Sequence, residues 1–231
     1  MREKTEQKQN LDKKLGYLPI TDSGRVNVLL TTAGLKRATD IEIPFGRETP
    51  LNRISIHSEK EMGLVVTRTR QILRTMGLAM VEAPEHPHAK MFQQDPNLLR
   101  DRILYAARER EDAERLAQIF PQNMRGEGTS EQKKELGKLF GFPLSAVEVY
   151  STTTERGSED GTLMKKEGLP AEIREEDAIA FLWFRLSKEH WREEMETVRM
   201  WAKTVKGRAP ELYARCVHEY KTRQRRLPQR S

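Results

Sequence analysis

Ser58-Glu59-Lys60-Glu61-Met62-Gly63-Leu64-Val65-Val66-Thr67-Arg68-Thr69-Arg70-Gln71-Ile72-Leu73-Arg74-Thr75-Met76-Gly77 decides how the first half of this chain folds. Ser58 and Glu61 have capping-box spacing, in which each side chain takes the other residue's free backbone N–H. Met62, Val65, Val66, Thr69, Ile72, Leu73 and Met76 then recur at helical spacing and make one apolar face. Gly77 suits the end of a helix, because it accepts the left-handed backbone conformation there.

On either side the pattern changes to strands. Asn52 to His57 and Leu78 to Ala83 have strand character, so residues 52–83 read as strand, helix, strand, the length of a βαβ unit. Upstream, Arg25 to Thr31 is rich in β-branched residues between Gly24 and Gly34 and reads as a strand. Asp40 to Pro44 alternates with period two, as a half-buried strand does.

From Pro96 onward the reading is helical. Leu98, Leu99, Ile103, Leu104 and Ala107 fit one helix face, and Ala113, Leu116, Ala117 and Phe120 continue it until Pro121. Thr129 with Gln132 is a second capping box, and Gly141-Phe142-Pro143 is a break before a short helix over 144–150. Residues 151–170 are polar and glycine-containing and read as a mobile loop. Three closing helices are expected: Glu175 to Leu186, one carrying Trp191, Met195, Val198, Ala202 and Val205, and a last one opened by Pro210. The expected fold is therefore α+β, a small mixed sheet with one long helix in the N-terminal half and a helical C-terminal half. Its expected parts are a mobile segment 1–15, a small α+β domain 16–95, a helical domain 96–220 and a basic tail 221–231.

Composition narrows the function classes. The chain has 231 residues, 33% of them charged, and a formal net charge of +6. Residues 221–231 hold five basic residues and no acidic one, and residues 1–16 hold five basic and three acidic, so the excess charge sits at the two ends. Such ends suit phosphates or another anionic surface. Cys216 is the single cysteine, so no internal disulfide can form, a usage that fits a cytoplasmic protein. Residues 1–10 lack the apolar run of a secretory signal, and no stretch approaches the roughly 20 apolar residues of a membrane span.

No P-loop, G-x-G-x-x-G, G-x-S-x-G or zinc-protease spacing occurs. Gly126-Glu127-Gly128-Thr129 precedes a helix start, where amides can hold a phosphate, but it lacks a P-loop lysine and reads as a turn and cap. Glu85-His86-Pro87-His88 follows an expected strand end. His86 and His88 could share a divalent metal with Glu85, His57 or Asp95 as further ligands. His57, directly before a helix N-cap, is a candidate general base, with Glu85 the other weak catalytic candidate. No cofactor is otherwise implied.

Arg68, Arg70 and Arg74, with Arg100, Arg102, Arg108 and Arg110, could form a basic patch for a phosphate backbone, and Arg223, Arg225 and Arg226 a second one in the tail. Phe92 and Tyr105 are the aromatics near the first patch. Trp183, Trp191 and Trp201 fit helix–helix contacts.

The leading expectation is a non-catalytic intracellular binding or regulatory protein that meets a protein partner through its helical half and nucleic acid through its basic ends. The alternative is an enzyme with a polar or metal-assisted site near the strand ends of the N-terminal domain. A subunit of a larger helical assembly is a third reading.

Overall fold

A computed structural model describes residues 11–45, 56–82, 101–152, 164 and 169–226. The fold is α+β. After a short helical segment over residues 11–16, the elements are α1 (Asp22–Thr32), β1 (Ala38–Ile43), α2 (Glu59–Thr75), β2 (Ala79–Glu82), β3 (Arg102–Ala107), α3 (Arg110–Met124), α4 (Ser130–Leu139) and α5 (Leu144–Thr152). A one-turn helix Ala171–Arg174 and a 3-10 helix Asp177–Phe181 precede α6 (Trp191–Arg208) and α7 (Pro210–Arg226).

The sheet has the order β1-β3-β2, with both pairings antiparallel. Ala107 stands opposite both Ala38 and Ala79, and Leu104 lies between Ile41 and Glu82. β3 is buried on both faces. Leu104 and Ala106 pack into the larger core with α1, α2, α6 and α7, while Ile103, Tyr105 and Ala107 pack with Ala113, Leu116, Ile119 and Leu139 of α3 and α4. Strands buried on both sides lose the polar alternation that marks a half-exposed one. This is why Ile103 to Ala107, expected to continue a helix from Pro96, is instead the middle strand. The sheet thus takes its central member from beyond residue 95.

The second correction is Arg25 to Thr31, expected as a strand and found inside α1. Thr21 caps that helix, its hydroxyl accepting from the Gly24 N–H at 3.2 Å. Arg25, Val26, Val28, Leu29, Leu30 and Thr31 are all buried. A helix enclosed on several sides needs no polar stripe, and a short apolar run of this kind does not separate helix from strand by periodicity.

Other readings hold or shift in detail. α2 carries the expected Ser58–Glu61 capping box and ends before Gly77, whose φ is 77°. The Thr129–Gln132 box opens α4. Residues 51–55 of the expected 52–57 strand lie outside the described residues, and Ile56 and His57 belong to no strand. Pro121 does not stop α3, which runs one further turn to Met124; a proline near a helix end removes a single N–H.

The helix expected over 175–186 is a 3-10 turn followed by non-helical backbone, extended at Leu182 and bent at Phe184. The non-helical form spreads the aromatic side chains over two helices. Phe181 stacks on Tyr213 of α7 at 5.4 Å, and Trp183 stacks on Trp201 of α6 at 5.8 Å. Most of the expected 151–170 loop lies outside the described residues. Among the described residues, no helix is long and apolar enough to cross a membrane.

Candidate anion-binding face

α2 is fixed on the sheet side by Met62, Val66, Thr69 and Leu73, which are buried. Its outward line therefore consists of Leu64, Arg68, Gln71 and Thr75, spaced three or four residues apart. The segment before α1 runs alongside. Lys14 donates from Nζ to the Thr75 carbonyl at 3.2 Å, satisfying one of the free acceptors at the helix C-terminus. Tyr17, 49% exposed, lies beneath the Arg68 guanidinium, whose carbon is 5.8 Å from the ring centre. That is within the range of a cation–π contact.

Lys14, Tyr17, Arg68, Gln71, Ile72 and Thr75 together line an open depression of about 260 Å³. Pockets that enclose a drug-sized molecule usually hold about 300–1,000 Å³. This depression is therefore shallower than such a pocket. The stretch of chain from Met62 to Val81 adds only positive charge beside it, holding Arg68, Arg70 and Arg74 and no acidic residue.

The three arginines have different surroundings. Arg70 pairs with Glu82 at 2.6 Å. Arg68 and Arg74 are exposed, and no acidic group pairs with either among the described residues. The wider patch expected from the sequence is broken up: Arg102 pairs with Glu59 at 3.1 Å, Arg110 with Glu114 at 2.7 Å, and Arg108 lays its guanidinium against Gly34. Arg100 lies outside the described residues.

Of the two aromatics noted near the patch, Tyr105 is fully buried and cannot serve as a stacking surface. Phe92 lies outside the described residues. The ring that does stand beside the arginines, Tyr17, is remote from them in sequence. Its nearest signal was the basic Lys13-Lys14 pair just before it.

The C-terminal cations are partly committed as well. Arg223 pairs with Glu219 one turn earlier, and Lys221 with Asp177 at 2.6 Å. Arg225 and Arg226 belong to the last turn of α7.

The alternative site is not assembled among the described residues. His57 is exposed, and its backbone N–H donates to Glu61 Oε2 at 2.8 Å. Glu85, His86, His88 and Asp95 lie outside the described residues. Among the described residues, no group of three or more histidine, cysteine or acidic side chains is placed to hold a metal. Cys216 is half-buried, and burial pushes its thiol up to about 12, far from a nucleophile at neutral pH. At Gly128, a side chain would strike the Asn123 amide 2.3 Å away, so that turn is filled by Asn123. Trp201 is fully buried and Trp191 nearly so; Trp201 packs on Phe142, Trp183 and Phe184, which stand outside the helices, so its expected helix–helix role is instead a contact of α6 with connecting segments. The chain matches no family model, no curated protein and no solved structure.

Proposed function

We propose that this is a non-catalytic, intracellular binding protein that holds nucleic acid on the outward face of α2. The observation that carries this reading is the half-exposed Tyr17 ring beneath the Arg68 guanidinium, beside Lys14, at an open depression. A cation next to an exposed ring supplies the two contacts that a single strand needs. The guanidinium can take a phosphate along its edge and a base on the outer plane of the guanidinium–ring pair, a stacking contact worth about 1–3 kcal/mol per base. Gln71 on the rim can donate to and accept from a base edge. The depression is open to solvent along α2, which suits a strand laid across it.

Lys14 belongs to the N-terminal cluster and borders the depression. The test is binding of a short fluorescein-labelled oligothymidylate, followed by anisotropy at rising salt. The affinity should fall steeply with salt, because each neutralised phosphate releases counterions. Absence of binding at low salt contradicts the proposal.

A further inference from the structure

Lys36 is 3% exposed and carries its amine into a box of rings. Nζ lies 4.8 Å from the ring centres of Trp183 and Trp201, 5.7 Å from Phe142 and 5.8 Å from Phe140. It donates one hydrogen bond, to Asn27 Oδ1 of α1 at 2.8 Å. The loop that carries it is pinned. Arg37 N donates to the Leu139 carbonyl at 2.9 Å, and Gly141 packs so closely on Leu35 that a side chain there would meet the Leu35 carbonyl oxygen at 2.3 Å. The amine therefore cannot swing out to water without disturbing α4, α6 and the 182–186 segment.

Two opposing effects act on its charge. Burial removes the hydration that an ammonium needs and lowers its proton affinity. The four ring faces and the carboxylate of Asp40 on β1 favour the cation. Asp40 is the charged group that acts on Lys36 from the packed elements; α1 presents the neutral Asn27, and the end of α4, the 182–186 segment and α6 present rings. Desolvation outweighs the attraction of Asp40, and the amine is lowered to about 7 from 10.5. Trp201 Nε1–H is buried and has no hydrogen-bond acceptor among the described residues.

We propose that Lys36 is an acid-sensitive latch: uptake of a proton by its amine loosens the packing of α6 and the 182–186 segment on the loop between α1 and β1. The sign follows from linkage. Between about 7 and 10.5 the unfolded chain binds a proton here that the folded chain does not, so stability rises with pH across that window and is lowest below it.

The test compares urea unfolding midpoints of the wild type and Lys36→Met from acid to mildly alkaline pH, with the ε-carbon NMR titration of lysine-labelled wild type alongside. The expected result is a wild-type midpoint that climbs with pH above neutrality, a Lys36→Met midpoint that climbs less and is higher on the acid side, and one lysine titrating near neutrality. A Lys36→Met protein with the wild-type pH slope overturns the proposal. Should that variant not fold, the wild-type titration decides alone: a full set of lysines titrating at ordinary values overturns it.

Discussion

Asp22 at the start of α1 and Arg215 on α7 meet at 2.8 Å, although 193 residues separate them. Asp22 is 1% exposed and also accepts from Arg25 Nη1 at 2.7 Å, while Arg25 reaches on to the Leu18 carbonyl. One buried carboxylate thus ties the segment before α1, α1 itself and the last helix together.

Asp22→Ala removes the buried carboxylate that both guanidinium groups share, and should cost about 3–5 kcal/mol, read as a lower urea midpoint. Arg215→Ala should cost less, because its side chain is 45% exposed and water can take over part of its role. The pH dependence has a defined sign. Burial pushes the Asp22 carboxyl up, but the hydrogen bonds from Arg215 and Arg25 outweigh it and hold the group below the usual 3.8. Its contribution is therefore present above about 3.8 and lost as acid protonates the folded form. Wild type should lose stability below that pH more steeply than Asp22→Asn.

Glu194 is fully buried on α6 and accepts from three donors: Ser145 Oγ of α5 at 2.8 Å, and Ser187 N and Oγ at 2.7 and 2.8 Å. In Glu194→Gln, only one accepting oxygen remains, the serine hydroxyls must turn to accept from the new amide, and the charge that strengthens the three bonds is lost. The expected loss is about 1–3 kcal/mol in chemical denaturation. A neutral outcome would mean that this cluster does not join α5 to α6.

Gly141→Ala and Gly63→Ala should move stability in opposite directions. Gly141 has φ 69° and its added methyl would meet the Leu35 carbonyl oxygen, so the loss should exceed the roughly 1–2 kcal/mol of left-handed backbone alone. Gly63 lies within α2 with open space around it, and alanine there should stabilise by about 0.5–1 kcal/mol. Thermal unfolding of the two variants checks both signs.

The legible parts of the fold were those written in local chemistry. Ser58 with Glu61, Thr129 with Gln132, and Gly77 mark helix ends because their side chains, or the lack of one, act on backbone a few residues away. Arg25 to Thr31 and Ile103 to Ala107 were misassigned for one shared reason. Both are enclosed by other elements, and burial on several sides erases the polar spacing that separates a helix from a strand. The candidate face was half legible. Arg68 and Arg74 stood out as basic residues on one helix, but the ion pair that removes Arg70, the Tyr17 ring and the box around Lys36 all depend on contacts distant in sequence.

The contact between Arg68 and Tyr17 is the centre of the account, and one set of measurements addresses it directly: oligothymidylate affinity, by anisotropy at low salt, for wild type, Tyr17→Ala, Arg68→Ala and Arg70→Ala. Tyr17→Ala and Arg68→Ala should each weaken binding about tenfold, the equivalent of roughly 1.4 kcal/mol, with the salt slope reduced by about one phosphate's worth in Arg68→Ala alone. Arg70→Ala should bind nearly as wild type, since Glu82 already holds that guanidinium. Equal affinity in all four proteins would contradict the assignment of nucleic-acid binding to this face.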